Sequence, residues 1–436
     1  MVKFEVRARD VPKEQEDASL KPVPHAPRQP SPSTPPGPSP RPPPPELLIR
    51  VHAIALNPAD ATFAARPLAS SLRVLGSDFA GEVVSSSTPS NDPRCRPGAR
   101  VAGFLQGACS ANERPGAFAE FISAASDLVW LLPDGMTYQE AAAVSLCALT
   151  GAQAVFPRLG LPCPFFRESE KPLPGDETQG HEKEGVTLLI YGASTSIGLY
   201  AAQWARLSEK YSGRRITLVG VASTKHHEML RREPYVYDVL VDYKDEGWVN
   251  TVRAATPGGR GVDLGIDAVT EGRTVYDVDG LLRDDANSRF CVFRAPGASG
   301  YKLEDLRVRP EYGNAWDAFG VELEYYQGEI PRPFLFPLGH SSITISADPQ
   351  AKAFAEAMFK FLTDGAREGK TLVRPNPVRK LPGGLSEKIA RDGFYLLRPE
   401  LMGPVLGVEV PRTEEYMRPI SGGETRVQIH LTSVRS

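Results

Sequence analysis

The segment Tyr191-Gly192-Ala193-Ser194-Thr195-Ser196-Ile197-Gly198 stands between an apolar run, Val186 to Tyr191, and a stretch in which Ile197, Tyr200, Ala201 and Trp204 recur at helical spacing. A strand, a tight turn of small residues and a helix, in that order, let a backbone approach a pyrophosphate that the free N–H groups and positive end of the helix then hold. Ala193, Ser194, Thr195 and Ser196 are the candidate contacts, three of them carrying hydroxyls. Glycine-rich turns also serve packing alone, so the motif by itself leaves both readings open. The next apolar run, Ile216 to Ala222, completes a βαβ unit, and its end discriminates between cofactors. An acidic residue there would accept from the ribose 2′-hydroxyl of NAD. This chain instead has Ser223, Thr224, Lys225 and His226, a set suited to the extra phosphate of NADP or to a solvated cationic loop.

The elements that must position this turn fall into two patterns. Short β-rich runs at Leu47 to Ala55, Gly81 to Ser85, Arg100 to Phe104 and Ala117 to Ile122 predict a compact all-β unit. A helix is expected over Tyr138 to Val155, with Thr137 as N-cap and Glu140 completing a capping box. Pro157 to Gly185 reads as loop; beyond it strand and helix alternate, and Val239 to Val241, Val262 to Val269 and Phe290 to Phe293 continue a parallel sheet. Asp348 at N-cap and Pro349 at N1 open a last helix, to about Asp364, with Phe354, Met358 and Phe361 on one face. Thirteen of the 25 residues from Lys21 to Pro45 are proline, which predicts an extended or disordered loop: a ligand for a proline-recognising domain, or a solvated insertion. Pro411 to Ser436 reads as a loosely attached tail.

A length of 436 residues fits two or three domains, and 41% hydrophobic with 24% charged residues excludes a disulfide mini-protein and a fully disordered chain. Fifty basic against 53 acidic side chains give a formal charge of −3, no field to draw nucleic acid or anionic lipid. Cys95, Cys109, Cys147, Cys163 and Cys291 never form the CxxC pairs of a zinc or thiol-redox site, and no histidines show metal spacing. With a charged N-terminus and no long apolar run, a cytoplasmic, reducing setting is expected, away from membranes.

Several further stretches carry a resemblance. Val51-His52-Ala53-Ile54-Ala55-Leu56-Asn57-Pro58-Ala59-Asp60, Leu75-Gly76-Ser77-Asp78-Phe79-Ala80-Gly81-Glu82-Val83, Pro97-Gly98-Ala99-Arg100-Val101-Ala102-Gly103-Phe104 and Gly116-Ala117-Phe118-Ala119-Glu120-Phe121 occur in this order, followed by the glycine turn, Asp242-Tyr243-Lys244-Asp245, and Arg374-Pro375-Asn376-Pro377-Val378 with Pro382-Gly383-Gly384. Over about residues 46 to 408 the chain resembles the medium-chain dehydrogenase/reductase superfamily and, within it, the fungal trans-acting enoyl reductases of polyketide and secondary metabolite biosynthesis. That resemblance implies an α/β fold: a chaperonin-10-like β-rich catalytic domain plus a doubly wound Rossmann nucleotide-binding domain. The implied divisions are 1–156, 157–345, a return to the catalytic domain over 346–410, and a tail over 411–436.

The resemblance also implies residue roles. Zinc-dependent relatives place Cys where Asn57 stands and Gly-His-Glu where Gly76-Ser77-Asp78 stands, so the soft ligands of a catalytic zinc are gone and zinc-independent chemistry is expected. Ala59, Asp60, Ala61 and Thr62 would lie near the nicotinamide of NADPH, Ala193 to Ser196 at the pyrophosphate, Ser223 to His226 at the adenosine phosphate, and Tyr243 by the adenine. Ala268 and Val269 would close the nicotinamide side, with Met402 and Gly403 on the closing strand. Ser145, Leu146, Cys147, Ala148, Leu149, Thr150, Gly151 and Ala152, with Phe290, Cys291, Val292, Phe293 and Arg294, would line the substrate pocket. Where relatives often carry lysine, this chain has Thr62, whose hydroxyl, with backbone amides, is the candidate to stabilise a developing enolate.

The expected reaction is NADPH-dependent reduction of a small-molecule or carrier-protein-bound α,β-unsaturated thioester, with a polyketide synthase as partner and the chain acting as monomer or homodimer. Two alternatives stand beside it: an NADPH quinone oxidoreductase, and a non-catalytic protein that binds NADPH. Tyr312, Trp316, Tyr325 and Tyr326 form an aromatic segment that either flanks an acyl chain or is ordinary core and surface.

Overall fold

Strand Glu46–Leu56 alternates buried and exposed residues along its first half and is almost wholly buried along its second, because it begins at the domain edge and ends beneath the cleft. The structure, a computed structural model, describes residues 2–6, 21–24, 43–65, 73–107, 114–174, 176, 185–294, 296–326, 342–381, 393–397 and 426–430. In it, Glu46–Leu56 pairs antiparallel with Gly76–Ser86, Phe121–Ala125 and Arg426–His430, at the centre of a seven-stranded sheet completed by Arg100–Gly107, Val129–Leu131 and Val378–Leu381. The region expected as a strand from Ala117 begins later. Ala117 and Phe118 donate instead to the carbonyls of Gly76 and Leu75 in a turn, and the strand starts at Phe121.

The expectation of a loosely attached tail is corrected, and the start of the proline-rich segment, expected as extended or disordered, is extended. The C-terminal tail contributes strand Arg426–His430, inserted between Glu46–Leu56 and Val378–Leu381; its alternation Arg-Val-Gln-Ile-His is a period-2 signal, short and overshadowed by the neighbouring glycines. Within the proline-rich segment, Lys21–Pro24 forms an edge strand on Val2–Val6, which also pairs with Arg73–Val74. Pro22 and Pro24 share one parity, so both missing donors fit the unpaired edge.

In the second domain, six parallel strands lie in the order Val239–Val241, Ile216–Val221, Val186–Tyr191, Leu264–Asp267, Arg289–Val292, Glu311–Tyr312. In sequence terms that is the doubly wound order 3-2-1-4-5-6, which reverses between Val186–Tyr191 and Leu264–Asp267 and opens a crevice at their carboxyl ends.

The helix expected over Tyr138 to Val155 is broken. Tyr138–Ala142 carries the full capping box of Thr137 and Glu140, and a second helix, Ser145–Gln153, is buried at every residue before a wide turn over Ala154–Arg158. This interdomain helix packs on the nucleotide helix Ser196–Ser212: Trp204 Nε1 donates to the Ala148 carbonyl at 2.8 Å and Tyr200 Oη to that of Ala143 at 3.0 Å. One apolar cluster therefore runs from Ala53, Ala80 and Phe104 through this helix to Leu188, Ile190 and Trp204, joining both domains. Pro349–Arg367 starts at Asp348 as expected, buries Phe354 and Met358, and runs a few residues longer. After it the chain is knitted to the nucleotide helix, with Gln203 exchanging hydrogen bonds with Arg374 and Asn376 Nδ2 donating to the Ser196 carbonyl.

Candidate active site

The glycine turn sits at the topological reversal, as its sequence context predicts. Thr195 is the N-cap of the nucleotide helix: its hydroxyl donates to the Gly192 carbonyl at 2.8 Å and accepts from the Gly198 N–H at 3.1 Å. Its hydroxyl is therefore committed to the turn, and Ser194 and Ser196 are the half-buried hydroxyls beside it, with Ala193 buried beneath. A Cβ built on Gly192 would come within 2.9 Å of Val269 Cγ2 and 3.5 Å of Ala268 Cβ, so the turn and the end of strand Leu264–Asp267 face one another closely, as a shared cofactor wall requires. Gly198 lies tighter still, its notional Cβ 2.4 Å from the Gly192 carbonyl oxygen and 3.0 Å from Ala193 Cα, backbone atoms that cannot rotate away. Gly198→Ala is expected to lever the helix off the turn, cost about 1–3 kcal/mol and erase the rise in thermal midpoint on adding a reduced nicotinamide nucleotide; an unchanged rise would refute this role.

Two aspartates to which the sequence assigned no role of their own, Asp242 of the Asp242-Tyr243-Lys244-Asp245 motif and Asp267, hold the rims. Asp267, fully buried at its strand end, accepts from the N–H groups of Val269 and Thr270 and from the Thr274 hydroxyl, while Thr270, at φ 50°, ties that strand to Phe293 through its hydroxyl. Burial raises the Asp267 carboxyl above its ordinary range against the pull of those bonds. Asp242 does the same for the loop after Val221. It accepts from the Thr224 N–H and hydroxyl at 2.7 and 2.6 Å and from the Lys244 N–H at 3.0 Å, bonds that hold its pKa down to about 2. Thr224 thus faces Asp242, leaving Ser223, Lys225 and His226 on the loop. Burial, with Lys225 adjacent, lowers the His226 pKa, and its buried Nδ1 has no partner among the described residues. Tyr243 is exposed next to them, with the Lys244 ammonium 6.0 Å from its ring centre. A loop lacking a carboxylate of its own and offering an orphaned imidazole nitrogen fits a phosphorylated ribose.

At the positions where the resemblance puts the lost zinc ligands, this chain folds a hydrogen-bonded quartet. Asn57, Asp60, Ser77 and Asp78 are each at most 3% exposed. Asp60 accepts from the Asn57 N–H at 2.7 Å and from the Ser77 hydroxyl at 3.0 Å; Asp78 accepts from Asn57 Nδ2 at 2.9 Å and from the Leu146 N–H at 2.9 Å. Cys147 Sγ reaches Asn57 Oδ1 at 3.8 Å. Burial raises the Asp60 pKa to about 7; hydrogen bonds from the Asn57 backbone, the Ser77 hydroxyl and the Asn57 side chain pull it down and Asp78 pushes it up. Asp60 therefore anchors helix Pro58–Ala65 from below instead of facing the cleft, and Ala61 is buried with it. Thr62 is half-buried one turn along, and its hydroxyl proton goes to the Pro58 carbonyl at 2.9 Å, so it stands as an acceptor rather than the donor expected.

The substrate stretch divides by face. Ala148, Gly151 and Ala152 belong to the packing against the nucleotide helix, Ser145 accepts from Trp130 Nε1 at 3.0 Å, and Leu149 is fully buried. Leu146, Cys147 and Thr150 keep a residual exposure of 9, 6 and 5%. Phe290, Cys291 and Val292 are interior to their strand, whereas Phe293 and Arg294 at its end are half-buried. Tyr312 is exposed; the side chains of Tyr325 and Tyr326, together with Met402, Gly403 and Cys109, lie outside the described residues.

The family model of the alcohol dehydrogenase GroES-like domain matches residues 43–134. Among curated proteins, the trans-enoyl reductase opdC of Penicillium oxalicum is 34% identical over 81% of this chain and 86% of its own, and caaB of Aspergillus niger 32% over 77% and 82%. The match to ACTTS2 of Alternaria alternata, 30% identical, spans 52% of this chain and 59% of that protein. In fold the chain is similar to an alcohol dehydrogenase superfamily protein from Novosphingobium aromaticivorans, with a TM-score of 0.60 at 17% identity over 99% of this chain and 100% of that one. The CurK enoyl reductase gives 0.56 at 16% over 91% and 94%. By its sequence relatives and its two-domain architecture, the chain belongs to the trans-enoyl reductases of the medium-chain dehydrogenase/reductase superfamily.

Proposed function

We propose that the chain is an NADPH-dependent, zinc-independent enoyl reductase that acts in trans on α,β-unsaturated thioesters made by a polyketide synthase. The observation that carries the reading is the quartet: Asn57, Asp60, Ser77 and Asp78 bond among themselves, to the Leu146 amide and to Cys147, on the β-rich domain that packs against the parallel-sheet domain. That set of an amide, a hydroxyl and two carboxyls linked through Asn57 has the single thiol of Cys147 beside it and no imidazole, not the Cys and His ligands of a catalytic tetrahedral zinc, which favours reduction of a polarised carbon–carbon double bond over alcohol oxidation. The curated relatives named as enoyl reductases point the same way.

Bound NADPH would supply a hydride to the β-carbon of the substrate. Ser194, Ser196 and the N-terminus of helix Ser196–Ser212 would hold its pyrophosphate, and Ser223, Lys225 and His226 its 2′-phosphate. Ala59 and Thr62 would lie against the nicotinamide from the β-rich side, Ala268 and Val269 from the sheet side. Leu146, Cys147, Thr150, Phe293 and Arg294 border the cleft in which the enoyl group must lie flat against the reactive face, and positioning of that kind provides most of the acceleration.

Purified protein mixed with NADPH and a panel of enoyl thioesters and quinones, followed by the absorbance of the reduced cofactor, tests the reading. Crotonyl-pantetheine is expected to be consumed with NADPH preferred over NADH; turnover of quinones alone, or a preference for NADH, would overturn it.

A further inference from the structure

The chain's tryptophans are unequal. Trp130 and Trp204 direct their indole N–H groups at Ser145 Oγ and the Ala148 carbonyl, so both brace the interdomain helix. Trp316 Nε1 is equally shielded from solvent and has no partner among the described residues. A buried donor left unmatched costs about 1–3 kcal/mol, so an orphan calls for a reason such as a ligand that arrives later.

Its location supplies the reason. Trp316 lies in a single 3₁₀ turn, Ala315–Phe319, that belongs to the nucleotide-binding domain by sequence but packs against the interdomain helix Ser145–Gln153. Its ring meets that of Phe63 edge-on, centroids 6.0 Å apart, and Phe63 follows Thr62 on helix Pro58–Ala65. Phe63 thus joins the indole to helix Pro58–Ala65, while the turn as a whole rests on helices Ser145–Gln153 and Pro349–Arg367. The turn holding it is stiff. Asn314 Oδ1 caps the Trp316 N–H, Arg158 pairs with Asp317 at 3.0 Å in a half-buried bridge, Arg158 also donates to the Tyr312 carbonyl, and Phe319 stacks edge-on against Phe104 at 5.0 Å. Meanwhile the expected side-chain donor, the Thr62 hydroxyl, is turned back on its own helix.

We infer that Trp316 is a substrate-binding residue whose indole N–H donates to the carbonyl oxygen of the enoyl thioester, with its ring forming, with Phe63, the wall beside the acyl chain. This rests on the enoyl-reductase reading. As the hydride arrives, negative charge grows on that oxygen, and a fixed donor in a water-poor cleft strengthens as it does.

Trp316→Phe removes the N–H and keeps an aromatic ring against Phe63. The full chain is compared with this variant in two assays: reduction of crotonyl-pantetheine by NADPH, and equilibrium binding of the saturated butanoyl-pantetheine. Roughly tenfold losses are expected in kcat/KM and in butanoyl thioester affinity, with NADPH affinity unchanged and the thermal midpoint not lowered. Wild-type values for both substrate readouts in the variant would overturn the inference, as would wild-type protein that fails to bind the saturated thioester, or a variant that loses NADPH affinity and substrate affinity in parallel. If the wild type binds the saturated thioester yet reduces no enoyl thioester, the functional reading falls and the binding comparison alone decides the role of Trp316.

Discussion

Asn57→Asp is expected to destabilise the protein at pH 8 by about 3–5 kcal/mol, and adding Asp78→Asn to the same chain should restore most of that loss. In the native quartet the amide of Asn57 donates to Asp78 at 2.9 Å while Asp78 also takes the Leu146 N–H, across separations of 21 and 68 residues. Replacing the amide by a carboxyl sets two acids face to face with Asp60 already beside them, all three shielded from water, and like charges so placed cannot all ionise. The double variant exchanges the two roles. The new amide at position 78 still accepts from the Leu146 N–H through its oxygen, and its nitrogen donates to the new carboxylate at position 57, which keeps an acceptor for Cys147. Because the exchange preserves one acid and one amide, a double-mutant cycle from chemical denaturation should show strong positive coupling, and turnover should return with stability because the bridge seats the interdomain helix. The single variant should also recover at pH 5, where a shared proton turns the facing acids into a hydrogen-bonded pair. Additive losses in the double variant would mean that the bridge does not exist.

How much of this was legible in the sequence depends on the range over which each interaction acts. The capping box of Thr137 and Glu140, the Asp348-Pro349 helix start and the strand–turn–helix at Val186 to Gly198 rest on residues a few positions apart, and the structure reproduces them. The order of family motifs gave the two-domain fold. The quartet shows the opposite case: the sequence marked Asn57, Ser77 and Asp78 as lost zinc ligands, but nothing local says that Asn57 donates to Asp78, Ser77 to Asp60, and a helix begun at Ser145 to Asp78. Asp242, read only as part of a motif, and Asp267 drew no role for the same reason, since an aspartate at a strand end becomes a loop clamp only when the loop folds over it. The break between Tyr138–Ala142 and Ser145–Gln153 was hidden by alanine-rich composition that favours a continuous helix; there the tertiary bonds from Asp78 to Leu146 and from Tyr200 to Ala143 outweigh propensity. Among Trp316 and its aromatic neighbours, irregular spacing carried no signal. An unmatched N–H becomes visible only when every other partner has been placed.

Asp60 gives the quartet a pH signature of similar size. Its carboxyl is raised from 3.8 to about 7 chiefly by burial. The folded chain therefore keeps a proton that the unfolded chain has already released over the interval between those values, so the stability of the fold falls as pH rises through it. The stabilisation is complete below the unfolded value, and on the order of 4 kcal/mol is lost by the time the folded group has ionised. Asp60→Asn removes the titration. Its amide oxygen still accepts from Ser77, but its nitrogen meets the Asn57 N–H, so the variant starts less stable at pH 5 by about 1–3 kcal/mol. The two stabilities should then converge as pH rises to 8, because only the wild type pays for ionising a buried acid. Unfolding in urea at pH steps from 5 to 8 measures the difference directly. A constant gap between wild type and variant would show that Asp60 ionises as freely in the folded chain as in the unfolded one, and would place it in contact with water in the cleft rather than beneath helix Pro58–Ala65.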